Sequence, residues 1–146
     1  MNHASQSVLE TAEPVRRIVP NSRAGLRQRI DLLKREDRVL IELAMNPDLT
    51  RRRIAALVGL KPGTVTRRIN KLAARLHDPT VLRLLDSRCP LSPEQRQIGV
   101  EHFLTGLSAR QLSDKHQMPV AQVYRVIDYV RGWSRGLGMF RSSQEE

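Results

Sequence analysis

Segment 49–77 of the chain reads LTRRRIAALVGLKPGTVTRRINKLAARLH, with two apolar stripes of helical period on either side of Gly59. Ile54, Ala55 and Val58 lie on one side of a helix that opens after Thr50, whose hydroxyl suits it to cap free amides. Gly59 supplies the positive φ that a tight turn demands, and Leu60 plugs the turn. Pro62 opens the following helix at a position where its missing N–H costs nothing. Val65, Ile69, Leu72 and Leu76, spaced four, three and four, form the inward side of that helix. The pattern leaves one arrangement, two short helices packed across a glycine turn.

The same segment carries eight Lys or Arg residues and no Asp or Glu. A surface selected for stability alone would intersperse acids among them, because like charges at this density repel. The whole chain has a formal charge of +10 and a sequence pI near 11.1. Proteins this basic meet polyanions: DNA, RNA or an anionic membrane surface. Of the 146 residues, 40% are hydrophobic and only 3% aromatic, so any core is built of Leu, Ile, Val and Ala and favours helices. That length suffices for one ordinary core or two very small ones. No apolar run approaches the ~18 residues of a membrane span, and the first residues lack the apolar centre of a signal peptide. The single Cys89 cannot form an internal disulfide. The expectation is a cytoplasmic, nucleoid-associated protein with no membrane partner.

Around this segment the chain reads as a series of helices. Residues 1–21 are polar, with Pro14, Pro20 and a basic pair at Arg16 and Arg17, as expected of a flexible basic arm. Ser22 is placed to cap a helix reaching about Lys34, with Leu26, Ile30 and Leu33 on one side. Val39, Leu40, Leu43 and Ala44 follow, either as a second helix or as the continuation of a bent one, and Asn46-Pro47 ends the stretch. Asp78-Pro79 starts a short linker helix within 79–91. Ser92 with Gln95, and Ser108 with Gln111, are capping boxes opening two more helices, with Gly106 between them. A last helix is expected from Val120 to about Trp133, followed by a flexible, Gly- and Ser-rich tail over 135–146.

A shift of 58 residues superposes the two halves without a gap. Leu40 falls on Ile98, Met45 on Phe103, Leu49 on Leu107, Thr50 on Ser108 and Ile54 on Leu112. Leu60 falls on Met118, Val65 on Val123, Arg67 on Arg125, Ile69 on Ile127 and Leu72 on Val130. The expected fold is therefore all-α: two tandem three-helix units, 22–78 and 92–134, joined by the linker helix.

The run from Ile54 to Ile69, IAALVGLKPGTVTRRI, resembles the helix-turn-helix of sigma-70-type region 4 and is similar to the response-regulator output domains. The resemblance spans 36–76. It rests on the Ile-Ala start, the turn Gly followed by an apolar residue, and the Gly-Thr-Val that opens the recognition helix. It implies that the helix after Pro62 is a DNA recognition helix. The second half is similar but degraded, with Ser113 in place of Ala55 and Gln117 in place of Gly59. Its LS…MPVAQVYRVI run loosely resembles Mor-type phage activators. The upstream, aromatic-rich part of a whole sigma factor has no counterpart here, since no aromatic residue precedes Phe103.

With the apolar stripe turned inward and each residue stepping about 100°, Gly63, Arg67, Asn70 and Ala74 face outward, flanked by Thr64, Thr66 and Lys71. Arg67 suits a bidentate contact to guanine and Asn70 one to adenine. Gly63 and Thr64 offer helix-terminal amides to a phosphate. Arg51, Arg52 and Arg53 open the preceding helix and suit phosphates better than bases. Lys61, Arg68 and Arg75 complete the candidate DNA-binding set in the first unit. In the second unit the same geometry exposes Gln122 and Arg125, beside Ala121, Tyr124, Asp128 and Tyr129. That unit, over 91–134, carries five Lys or Arg against four Asp or Glu, so its weight is split between binding DNA and packing or dimerising.

Cys89, His3, His77, His102 and His116 have no metal-ligand spacing, and there is no phosphate-binding loop, dinucleotide fingerprint or nucleophile triad. No enzymatic activity, cofactor or small-molecule ligand is expected. The leading expectation is sequence-specific binding of double-stranded DNA in transcription regulation, with RNA polymerase or a second copy of the chain as further candidate partners. Two alternatives stand beside it: a DNA-targeting accessory protein of a recombination, transposition or phage system, and a protein-interaction adaptor on a helix-turn-helix fold.

Overall fold

The computed structural model describes residues 23–142, with side chains described as far as Leu137. The arm expected at 1–21, the cap expected at Ser22 and residues 143–146 lie outside the described residues. Among the described residues there are eight helices and no strand: α1 (Arg23–Asp31), α2 (Arg35–Ala44), α3 (Arg51–Val58), α4 (Pro62–Leu76), α5 (Pro79–Leu84), α6 (Pro93–Phe103), α7 (Ala109–His116) and α8 (Val120–Ser142). The all-α expectation is met.

Local chemistry sets most of the boundaries. Thr50 Oγ1 accepts the Arg53 amide at 3.2 Å, and Asp78 Oδ1 accepts that of Thr80 at 2.8 Å. Ser92 with Gln95 and Ser108 with Gln111 form complete, reciprocal capping boxes. α1 and α2 are separate helices: α1 ends at Asp31, short of Lys34, and Lys34 is extended at ψ 149°. The linker region is helical only over Pro79–Leu84.

The interior is built of three apolar clusters. Ile30, Leu33, Leu40, Ile41, Ile54 and Ala55 meet the inward side of α4, where Val65, Ile69, Leu72 and Leu76 are all buried. Val81 from α5 and Leu104, which follows α6, join the same cluster. A second cluster is formed by Ile98, Ala109, Leu112, Val123 and Ile127, and a third by Leu84, Leu91 and Val130. Phe103 packs against all three. Here the two halves differ, because Met45, the counterpart of Phe103 under the 58-residue shift, is 56% exposed.

α8 runs nine residues beyond the expected end at Trp133, as far as Ser142, and so replaces the first part of the expected tail. The anchor is Ser134, which is buried. Its hydroxyl accepts from Thr80 Oγ1 at 2.9 Å and from Arg83 Nη1 at 2.9 Å, and Arg83 also reaches its carbonyl. These contacts outweigh the low helix propensity of Gly132 and Gly136, about 1 kcal/mol each relative to alanine.

A carboxylate sits inside the second half. The Glu101 carboxylate is buried and receives Gln97 Nε2 at 3.0 Å, Lys115 Nζ at 3.1 Å and His116 Nε2 at 3.2 Å, tying α6 to α7. Burial pushes this carboxyl up, but the hydrogen bonds from Gln97, His116 and Lys115 prevail and hold it below the ordinary value of 4.5. A lowered acid stabilises the fold above its ordinary pKa, and that contribution fades as the pH falls through the native pKa. Glu101→Gln is therefore expected to lose about 1–3 kcal/mol at neutral pH. The gap to the wild type should narrow as acid denaturation is followed below about pH 4.5. Denaturant melts across that range check both effects.

Candidate nucleic-acid interface

The α3–α4 corner is built by its turn. Gly59 has φ +72°, in the left-handed region, and both its amide and that of Leu60 bond to the Ala55 carbonyl. Leu60 turns inward, half-buried against the first cluster. α4 then starts at Pro62 with no side-chain cap, since its N-cap is Lys61. The first amides of α4 thus have no side-chain acceptor.

Helix α4 presents the two sides its period demands. Gly63, Thr66, Arg67, Arg68, Asn70 and Lys71 are exposed, and Thr64 is half-exposed beside them. Lys61, Arg52 and Arg53 are exposed on the adjoining surface, with Arg51 partly covered. No ion pair among the described residues involves any of these cations. Where acids are available, the chain does pair its charges: Arg27 with Asp31 and Glu42, Arg88 with Asp86, Lys115 with Glu101 and Arg131 with Asp128. The α3–α4 surface is therefore a concentration of un-neutralised positive charge. Arg51, Arg52 and Arg53 moreover stand in the first turn of α3, where the helix dipole disfavours cations.

Arg75 stands apart from that set. It is half-buried, and its guanidinium lies against the turn after α6: a Cβ added at Gly106 would come within 2.5 Å of Nη1 and 2.7 Å of Cζ. Gly106 has φ +82°, so the turn itself also needs glycine. Sequence position alone put Arg75 on the flank of the cationic side; its contact is with the second half of the chain.

The α7–α8 corner has the same backbone without the glycine. Gln117 takes the left-handed conformation at φ +50°, and the amides of Gln117 and Met118 both bond to the Ser113 carbonyl. Ser113, which replaces the small Ala55, adds a bond the first corner lacks, its hydroxyl donating to the Met118 carbonyl at 2.6 Å. Gln117→Gly is expected to raise stability by about 0.5–1 kcal/mol, because glycine removes the left-handed strain. A denaturant midpoint unchanged or lowered would contradict that. Gln122 and Arg125 are exposed on α8, as are Tyr124 and Tyr129, while Asp128 is held by Arg131 Nη1 at 3.3 Å.

One exposed cation escaped the sequence reading. Arg110, in the first turn of α7, is the counterpart of Arg52. The 58-residue shift carries that signal, since it sets Arg110 on Arg52. His102 and His116 have structural partners, with His102 Nδ1 2.8 Å from the Leu107 carbonyl and His116 on Glu101.

Residues 32–75 match a family model described as winged helix-turn-helix DNA-binding. The match takes in α2 and α3 and all but the last residue of α4. It supports a helix-turn-helix DNA-binding domain over those residues, with double-stranded DNA as the partner. It does not single out sigma-70 region 4, and it stops short of the second half. No curated protein and no solved structure matches the chain. No helix among the described residues is long and apolar enough to cross a membrane.

Proposed function

We propose that the protein is a sequence-specific DNA-binding transcription regulator that inserts α4 into the major groove. The observation that carries this reading is the outer side of α4, where Arg67, Asn70 and Lys71 stand exposed and unpaired by any acid among the described residues, directly opposite a fully buried apolar stripe. Arg67 and Asn70 read base edges, with Thr66 beside them. The uncapped start of α4 at Gly63 and Thr64, with Lys61, takes a backbone phosphate. Arg51, Arg52, Arg53 and Arg68 neutralise flanking phosphates and fix the register. Helices α6 to α8 form a second unit of the same kind, in which Gln122 and Arg125 meet the duplex and Arg110 takes the phosphate role of Arg52. Because the two units differ, one chain prefers an asymmetric, bipartite site to a palindrome.

Selection from random duplexes, followed by binding measurements across a salt series, tests the reading. Arg67→Ala should cost about 1–3 kcal/mol on the selected site and relax the preference at one or two positions. Arg52→Ala should weaken all sequences alike and lower the salt slope by roughly one. Identical behaviour of the two variants would contradict the division of roles. A promoter fused to the selected site should change its output when the protein is supplied; unchanged output with the site occupied would favour a targeting role over a regulatory one.

A further inference from the structure

We propose that the chain grips its DNA as a single rigid body, so that α4 and α8 meet the duplex at one fixed spacing and one helical phase. The inference rests on the reading that both helices face DNA, and it concerns what holds them in relation to each other. Tandem modules on a solvated linker adjust their separation freely. The segment between these two corners is instead part of the core.

Only His77 and Asp78 separate α4 from α5. Along α5, Val81 is buried in the cluster that receives α4, and Leu84 is buried with Val130 of α8. The six-residue helix thus sends one fully buried residue into each of two clusters. Leu104, at the end of α6, returns to the first cluster with no exposed surface, and Val100 bridges the first cluster and the third. Gly99 allows α5 and α8 to close on α6: a Cβ there would stand 2.9 Å from Leu84 Cδ1 and 3.4 Å from Val130 Cγ1. Further contacts add to the joint at its edges. Thr80 and Arg83 hold Ser134 of α8, and Arg75 at the end of α4 lies on Gly106 in the turn between α6 and α7. Apolar side chains shared between the clusters, in place of a solvated linker, are what keep the two units from moving independently.

B-DNA repeats every 10–10.5 base pairs, so each inserted pair turns the second contact block by roughly 35° and moves it about 3.4 Å away. A rigid reader cannot follow either change. The test takes the full chain and its selected site, and inserts one, five or ten base pairs between the two blocks of preference. One pair is expected to lower affinity at least tenfold. Five should leave the affinity of the first block alone, and ten should not restore it, because the phase returns but the distance does not. Two blocks that tolerate every insertion would overturn the rigid coupling and leave both readers standing. Recovery at ten pairs would overturn it too, since only a yielding joint reaches that far. A single block of preference, insensitive to Arg125→Ala, would remove α8 as a reader and with it this proposal, while the role of α4 survived. No preference for any duplex would instead defeat the underlying reading.

Discussion

Replacing Arg52, Arg53, Arg67 and Arg68 together by glutamine is expected to leave the fold intact and reduce DNA affinity about a thousandfold at 0.15 M salt. All four side chains are exposed and none forms an ion pair among the described residues, so no native contact is lost. Each phosphate contact contributes roughly 0.9 to the slope of log affinity against log salt, so Arg52, Arg53 and Arg68 together steepen it by ~2.7. Carried from a 1 M reference to 0.15 M, that slope amounts to about two powers of ten, and loss of the Arg67 base contact, about 1–3 kcal/mol, supplies roughly one more. Surface changes of this kind shift stability by about 0.5 kcal/mol or less. Removing Arg52 and Arg53 from the positive end of the α3 dipole shifts it upward. Thermal melts beside salt-dependent binding isotherms check both halves of the expectation. A variant that loses affinity because it has lost its fold would carry no information about the surface, and the melt identifies that case.

Gly99→Val is expected to have the largest effect on stability. The site has no room: the first added carbon already stands 2.9 Å and 3.1 Å from the two terminal methyls of Leu84, and Leu84 is itself fully buried. Overpacking at such a position costs about 1–3 kcal/mol, and a β-branched side chain adds a rotamer restriction inside a helix. The melting temperature should drop by roughly 4–12 °C at the few degrees per kcal/mol usual for a domain of this size. Gly99→Ala should lose much less, because the gain in helix propensity of about 1 kcal/mol offsets part of the clash. A valine variant as stable as the wild type would mean that α5, α6 and α8 do not close as tightly as the joint between the two halves requires.

The first corner was legible in the sequence because its constraints are local. Thr50, Gly59 and Pro62 each fix backbone geometry within one turn of their own position, and the four-three-four spacing of Val65, Ile69, Leu72 and Leu76 admits one inward side. The capping boxes at Ser92 and Ser108 were legible for the same reason. What escaped depended on contacts between distant segments. The continuation of α8 past Trp133 is held by Thr80 and Arg83, more than fifty residues upstream of Ser134. Gly132 and Gly136 suggested a break that this anchor overrides. Arg75 has the spacing of a surface residue, and only the approach of Gly106 reveals where its guanidinium rests. Ser113 and Gln117 looked like decay of the turn, whereas the Ser113 hydroxyl supports the Met118 carbonyl in a conformation that glycine would adopt unaided. The outward side of α4 lies between these cases. Its exposure follows from helical period, while its lack of ion-pair partners among the described residues depends on where the acids of neighbouring elements are placed, which needs the fold to establish.

Methylation interference at guanine N7, on the selected site, tests the entry of α4 into the major groove most directly. Methylating at least one guanine in the first block is expected to abolish binding of the wild type, and this block to binding should disappear in Arg67→Ala while interference elsewhere persists. Binding indifferent to every major-groove methyl group, or a pattern that Arg67→Ala leaves unchanged, would contradict that placement of α4.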